Sequence, residues 1–288
     1  MNLLSSLRRT SRPGVLTGAG LLALGVLGGG AAVAATQADT PQPAIKTTTP
    51  RTERKVTNVD IVKQQVKNYY GDPLGTGITP ADSNYAAEAT EVAAKGTLYL
   101  AKKAKKHGSG KTKAILLDVD DTSLNTWNYE IAANFAYTPA SNAEFVLGQK
   151  FPAVYGMVEM ATAAEREGYA IFFLTGRGAA QEAATLGNLT ADGIGVDAGY
   201  PKPTTLSNGE DGLFTKPAVA NYPDYLKTAC AADPNGSCTT VHYKSATRQH
   251  IESLGYDIVA NFGDQYSDLT GGFADKTFKL PNPTYFLP

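Results

Sequence analysis

The chain has 288 residues, which is enough for one large domain or two small ones with a sizeable hydrophobic core. Hydrophobic residues make up 42% and charged residues 18%, and the formal net charge is −1. So small a net charge gives no long-range field, which argues against nucleic acid or an anionic membrane surface as a partner. Any anion that this chain binds must be held by local geometry.

Residues 1–34 have the pattern of a secretory signal peptide. A basic start is followed by an apolar stretch at residues 16–27, a triple glycine and a small-x-small motif at residues 32–34. A membrane anchor is the alternative, because residues 13–38 are long enough to span a bilayer, but the glycines and small residues favour cleavage near residue 34. We therefore expect a secreted protein with no stable membrane anchor after cleavage. Residues 35–56, rich in Thr, Pro and Gln, are predicted to be a disordered linker.

The remainder, residues 57–288, alternates helical and strand patterns. Apolar spacing predicts two helices ahead of the first strand, at residues 58–69 and 83–106. Short continuous apolar runs predict strands that are buried on both faces, at residues 113–120, 170–175 and 256–262. Helical patterns accompany these strands, at residues 154–166, 179–186 and 245–254. The alternation predicts an α/β fold with a doubly wound, mainly parallel sheet.

Polar side chains stand where each predicted strand ends. Asp118 and Asp120 end the first run, Thr175 ends the second, and Asp264 follows the third. Ligands bind beyond the carboxyl ends of parallel strands, so these four side chains are predicted to converge there. Clustered aspartates repel one another unless a cation compensates them, and Mg²⁺ is the usual choice when a phosphate is also bound. Unrelated surface turns are the alternative, but each carboxylate ends an apolar strand and not a polar loop.

Cys230 and Cys238 are the only cysteines in the sequence. In an exported protein an even pair predicts a structural disulfide, and the intervening Pro234-Asn235-Gly236 is a turn sequence that would bring the two ends together. A metal-binding or catalytic role is the alternative, but no cluster of cysteines or histidines supports it.

These segments resemble the four motifs of the haloacid dehalogenase-like phosphatases. The first motif is similar to Asp118-Val119-Asp120-Asp121-Thr122, the second to Thr175-Gly176-Arg177, the third to Lys244, and the fourth to Gly263-Asp264 with Asp268. Over residues 58–288 the chain more closely resembles the plant-type (class B, subfamily IIIB) acid phosphatase and vegetative storage protein family. That likeness rests on Tyr243-Lys244-Ser245 with Arg248, the segment 263–269, and the closing Phe278-Lys279-Leu280-Pro281. It implies a Rossmann-like core with a small helical cap inserted after the first motif, at about residues 123–168.

Phosphoryl transfer needs a nucleophile, charge neutralisation and proton handling, and the resemblance assigns these roles. Asp118 is the expected nucleophile, and Asp120 the expected acid and base. Thr175, Gly176 and Lys244 are expected to bind the phosphoryl group. The expected Mg²⁺ ligands are carboxylate oxygens of Asp118 and Asp264, the backbone carbonyl of Asp120, and Asp268 either directly or through a water.

Two arginines near these motifs have other expected roles. Arg177 is expected to be structural, paired with a carboxylate. Arg248, one helical turn after Lys244, is expected to reinforce that lysine.

The predicted insert contains an aromatic cluster formed by Trp127, Tyr129, Phe135 and Tyr137. These rings could stack on a nucleobase or an aryl leaving group, with Trp127 and Tyr129 as the candidate substrate contacts, or they could form the core of the insert.

The expected function is that of a secreted, Mg²⁺-dependent acid phosphatase acting on small-molecule phosphate monoesters, with nucleotides and aryl phosphates as candidates. A storage or binding protein with residual activity is an alternative, and so is a phosphotransferase that passes the phosphoryl group to an alcohol. A receiver-like phospho-acceptor domain is disfavoured by Asp120 and by the long insert. A histidine-nucleophile acid phosphatase is excluded, because the sequence has no Arg-His-Gly element.

Overall fold

The structure of the protein is a computed structural model that describes residues 56–105 and 110–287. The expected signal peptide at residues 1–34, and the expected linker up to residue 55, lie outside the described residues. None of the helices in the described part of the chain combines the length and the apolar character that crossing a bilayer requires.

In the described residues, five parallel strands form one sheet in the order β3-β2-β1-β4-β5. Their bounds are β1 Thr112–Leu117, β2 Ala170–Gly178, β3 Leu213–Lys216, β4 Tyr256–Gly263 and β5 Thr277–Lys279. The three strands predicted from apolar runs are the three central ones, β2, β1 and β4. The two edge strands, β3 and β5, are three or four residues long and carry polar side chains, so no apolar run marked them.

Helices connect the strands and cover the sheet. Their bounds in chain order are α1 Val59–Tyr69, α2 Asn84–Ala104, α3 Trp127–Ala132, α4 Pro139–Leu147, α5 Met157–Arg166, α6 Glu182–Leu189, α7 Asp224–Ala229, α8 Thr240–Ser253 and α9 Tyr266–Leu269. The side chains of Asn58 and Ser83 cap α1 and α2 by accepting hydrogen bonds from backbone N–H groups of the first turn. Both helices therefore begin within one residue of their predicted starts.

Alternate residues of β1 point into two hydrophobic cores, one on each face of the sheet. Ile115 and Leu117 lie in one core with residues of α2 and α5. Ala114 and Leu116 lie in the other with residues of α7 and α8. A sheet covered by helices on both faces is the doubly wound α/β architecture, so the predicted fold class is confirmed.

The segment between β1 and β2 divides its helices between two places. Residues of α3 and α4 line the cavity at the carboxyl edge of the sheet. The third helix, α5, instead packs against α2 and β2 and forms the crossover between the parallel strands. Only the part of residues 123–168 that precedes α5 therefore reaches the site.

The predicted disulfide is present between Cys230 and Cys238, whose Cα atoms are 4.9 Å apart. It closes the connection between α7 and α8, where Asn235 and Gly236 have positive φ values of 56° and 66°. Both cysteines are buried in the core that contains α8.

Candidate active site

A cavity of about 590 Å³ lies at the carboxyl edge of the sheet. Residues that follow or end the central strands form its floor, namely Asp118, Asp120, Thr175, Gly176, Arg177 and Asp264. Side chains from α8 and α9 add Lys244 and Asp268. All the residues predicted for chemistry and for the metal therefore lie on the wall of one cavity.

Lys244 joins two of the carboxylates. Its Nζ donates to Oδ1 of Asp118 and, at 2.6 Å, to Oδ1 of Asp268. All three side chains are buried. Burial raises the pKa of the Asp118 carboxyl well above its ordinary range; Lys244 opposes the rise, and the charges of Asp268 and Asp264 add to it. Burial alone would lower the pKa of Lys244, but its two carboxylate partners outweigh burial and raise it.

Three carboxylates are grouped closely enough to hold one metal ion. Asp118, Asp264 and Asp268 each offer an oxygen within 4.8 Å of the others, and all three are buried. The ammonium of Lys244 bonds to two of them. With three carboxylates and one ammonium, the group has two more negative than positive charges. Buried carboxylate oxygens with this excess charge fit a hard divalent cation.

The carboxylate of Asp120 lies outside that group and is engaged with Arg177. Nη2 of Arg177 donates to Oδ1 of Asp120 at 2.7 Å and Nε donates to Oδ2 at 3.1 Å. Nη1 donates to the hydroxyl of Thr185 at 3.0 Å. The expected pairing of Arg177 with a carboxylate is thus found, and its partner is the residue expected to carry the proton. The carboxylate of Asp120 is not part of the group that could hold a metal, and a metal contact through its backbone carbonyl stays a prediction.

Thr175 and Gly176 lie beside Asp118 on the cavity wall. The hydroxyl of Thr175 accepts a hydrogen bond of 3.1 Å from the backbone N–H of Arg177. This contact fixes the oxygen while leaving the hydroxyl hydrogen for a ligand.

Arg248 has a different position from the one expected. It is fully buried and donates to the backbone carbonyls of Asp268 at 2.6 Å, Gly272 at 2.7 Å and Thr270. The guanidinium therefore holds α9, which carries Asp268, and the segment after it, and supports Lys244 only through them.

Trp127 does not line the cavity, contrary to its candidate role as a substrate contact. Its ring is 1% exposed and stacks at 4.1 Å on Tyr70, the residue after α1, and its Nε1 donates to Asp72 at 2.9 Å. A buried stack and a buried acceptor hold the indole in the core. Tyr129 does line the cavity, and its hydroxyl lies 3.0 Å from that of Ser141. Phe135 and Tyr137 line it as well.

The surroundings of Asp264 were missed by sequence reasoning. Its Oδ2 accepts hydrogen bonds of 2.7 Å from the amides of Gln265 and Asn282, and its Oδ1 accepts one of 3.2 Å from the hydroxyl of Thr122. Burial raises the pKa of Asp264, whereas the two amides lower it.

Asp121, within the first motif, is also buried. It has a φ of 52° and accepts hydrogen bonds from the backbone N–H and the hydroxyl of Thr126, so it shapes the turn after β1.

The C-terminal segment forms one wall of the cavity. Thr284, Tyr285, Phe286 and Leu287 line it. Gln265 holds this segment, since its Oε1 accepts from the backbone N–H of Leu287 at 3.1 Å and its Nε2 donates to the carbonyl of Tyr285 at 3.4 Å. The Pro-rich segment has no periodicity, so no sequence pattern indicated its return to the site.

Comparisons with known proteins identify the family of this chain. A family model described as HAD superfamily, subfamily IIIB (acid phosphatase) matches residues 33–288. The chain is 27% identical to acid phosphatase 1 of Solanum lycopersicum over 60% of this chain and 58% of that protein. It is 50% identical to vegetative storage protein 1 of Arabidopsis thaliana over 56 residues, 19% of this chain and 21% of that protein. The matches therefore span less than two thirds of these curated relatives.

Among solved structures, the class C acid phosphatase from Bacillus anthracis with tungstate bound has a similar fold. The TM-score is 0.54 at 21% sequence identity, and the match covers 78% of this chain and 86% of that chain.

Proposed function

This chain belongs to the HAD superfamily, subfamily IIIB (acid phosphatase), and we propose that it is a secreted acid phosphatase that hydrolyses phosphate monoesters through an aspartyl-phosphate. The observation that carries the proposal is the meeting of Asp118, Lys244 and Thr175 on one cavity wall, with Asp120 two residues from the nucleophile. The roles below are those of the chain's own side chains.

Asp118 begins the reaction as a nucleophile. Its carboxylate oxygen forms a bond to phosphorus while the bond from phosphorus to the ester oxygen breaks. Asp120 gives a proton to the departing alkoxide, so the alcohol leaves neutral. Water then attacks the phosphorus of the aspartyl-phosphate, Asp120 takes the proton from that water, and Asp118 is released as a carboxylate with inorganic phosphate as the product.

Two groups stabilise the transferring phosphoryl group. The ammonium of Lys244 contacts the nucleophilic carboxylate and supplies positive charge beside it. The hydroxyl of Thr175, held by the N–H of Arg177, donates to a phosphoryl oxygen. Both groups come from rigid elements, β2 and α8, so they are in place before the substrate arrives.

Asp118, Asp264 and Asp268 would hold the divalent cation, for which we propose Mg²⁺. When bound, the ion neutralises the negative charge that the carboxylates and the phosphoryl group bring together. The excess of two negative charges in the cluster supports a divalent ion.

The purified protein should be assayed with p-nitrophenyl phosphate and nucleoside monophosphates, with Mg²⁺ and with EDTA. We expect turnover that EDTA abolishes and that Asp118→Asn eliminates. Asp224→Asn, at an exposed carboxylate of α7, is the matched control and should retain activity. Equal turnover by Asp118→Asn would remove the nucleophile assignment.

A storage role is the second candidate, favoured by the 50% identity to a vegetative storage protein over a short stretch. It would be supported by a wild-type protein that turns over none of these esters.

Secretion has its own test, since the N-terminus of protein recovered from the medium should follow residue 34.

A further inference from the structure

Glu130 in α3 is a buried carboxyl without a partner in the described part of the chain. Its residue is 6% exposed and it lines the same cavity as Asp118 and Asp120. No hydrogen bond or ion pair of the described residues involves its side chain. Burial raises its pKa to about 7. The carboxyl oxygens of Glu130 are not among the enclosed, unpaired polar atoms of the described residues, so they face the cavity that the residue lines.

Asp72 is a buried carboxylate with a structural role, and it is surrounded by hydrogen-bond donors. It accepts hydrogen bonds from the backbone N–H groups of Thr76 and Gly77, both at 2.8 Å, and from Nε1 of Trp127 at 2.9 Å. Glu130 has no such donors. Its carboxyl is therefore available to a molecule in the cavity.

In the described residues, none of the three cations that line the cavity contacts Glu130. Arg177 binds Asp120, and Lys244 binds Asp118 and Asp268. Nζ of Lys216 donates to the carbonyl of Cys238 at 2.8 Å. When Glu130 is ionised, a ligand in the cavity can supply the positive charge that these contacts do not bring to it.

Aromatic rings share the wall with Glu130. Tyr129, Phe135 and Tyr137 line the cavity, and the faces of such rings attract cations. A carboxyl among aromatic rings is suited to an ammonium group. Thr175 and Lys244, which line the same cavity, are suited to a phosphate.

We propose that Glu130 selects leaving groups that carry an ammonium group, so that the preferred substrates are phosphate monoesters of amino alcohols. This inference rests on the proposed phosphatase function and names the substrate class for the same site. Glu130 is a specificity residue that touches the remote end of the substrate and takes no part in the bond changes at phosphorus.

Choline phosphate and 3,3-dimethylbutyl phosphate test the proposal, because they have nearly the same shape and differ in the positive charge. At pH 8, where Glu130 is ionised, wild-type protein should have a kcat/KM for choline phosphate at least about tenfold higher than that for 3,3-dimethylbutyl phosphate. In Glu130→Gln the ratio of the two kcat/KM values should fall to about one. The matched control, Glu144→Gln, changes an exposed carboxylate of α4 outside the cavity and should retain the wild-type ratio.

A wild-type ratio near one, with both esters turned over, would overturn the inference and leave the phosphatase function intact. A ratio that persists in Glu130→Gln would overturn it too. A Glu130→Gln variant that loses activity on nucleoside monophosphates alone would overturn it as well. The group that contacts Glu130 would then be an uncharged N–H donor of the nucleobase and not an ammonium group. Calorimetric titration with the two esters gives the same comparison for binding, so the inference can fail or hold even where the hydrolytic activity is absent.

Discussion

Arg177 binds both carboxylate oxygens of Asp120, at 2.7 Å and 3.1 Å, on the wall of the catalytic cavity. The guanidinium is almost fully buried, whereas the carboxylate is 29% exposed. A two-point contact fixes the orientation of the carboxylate. Arg177 is therefore a positioning residue that acts through the group that moves the proton.

Arg177→Gln should slow the hydrolysis of alkyl phosphates by about 10- to 100-fold and that of p-nitrophenyl phosphate much less. A poor leaving group needs the proton from Asp120, whereas p-nitrophenolate departs without it. The kcat/KM ratio of the two ester types is the measurement, and Asp120→Asn should show the same selectivity. An equal loss on both esters would mean that Arg177 supports the fold and not the proton transfer.

The meeting of Asp118, Thr175, Lys244 and Asp264 could be predicted from the sequence. Each aspartate or threonine ends a strong apolar run, and parallel strands present their carboxyl ends at one edge. The role of Lys244 follows only from the resemblance to the haloacid dehalogenase-like phosphatases, since a lysine on a helix has no distinctive sequence pattern of its own.

Other parts of the site depend on contacts that no local pattern records. Whether Trp127 faces the cavity or the core is decided by Tyr70, which follows α1 and lies far away in the chain. Asn282 reaches Asp264 only because the short edge strand β5 places the following segment beside β4. Glu130 has the sequence appearance of an ordinary solvated helix residue, and only its burial distinguishes it.

The metal-free carboxylate cluster should destabilise the protein as the pH rises. The pKa values of Asp118 and Asp264 are raised in the folded state, so the folded protein binds protons more tightly than the unfolded chain does. Stability from this source is present at low pH and is lost as the pH rises above about 4. In EDTA, we expect the melting temperature of wild type to fall between pH 4 and pH 7, and Mg²⁺ to restore it.

Asp264→Asn removes one of the two titrating carboxyls and so measures its share of this pH dependence. In EDTA at pH 7 the variant should melt at a higher temperature than wild type, with little difference at pH 4. Mg²⁺ should stabilise wild type much more than the variant. Melting curves of the two proteins that run parallel across this pH range would contradict the account.

Asn282→Ala should weaken metal binding without removing a metal ligand. The amide of Asn282 donates to the same oxygen of Asp264 as the amide of Gln265 does, and such partners orient the ligand. The Mg²⁺ concentration for half-maximal activity should rise about tenfold. Ser267→Ala, which loses only a 3.3 Å hydrogen bond to the carbonyl of Leu287, is the control. An unchanged Mg²⁺ requirement in Asn282→Ala would place this amide outside the metal site.

Glu130→Gln should change stability in a pH-dependent way. Burial raises the pKa of Glu130 from 4.5 to about 7, so the wild type loses stability as the pH rises through this interval. The neutral glutamine does not titrate, so the variant should gain about 2–3 kcal/mol over wild type at pH 8 relative to pH 4. Unfolding by denaturant at the two pH values measures this gain. The same difference at both values would show that Glu130 is not desolvated.

Trapping the covalent intermediate tests the central claim most directly. Protein quenched during turnover of p-nitrophenyl phosphate should be treated with borohydride, which reduces an acyl phosphate to an alcohol, and its peptides analysed by mass spectrometry. We predict homoserine in place of Asp118, dependent on substrate and absent from the Asp118→Asn variant. Turnover without any reduced aspartate, or reduction at a residue other than Asp118, would contradict the account.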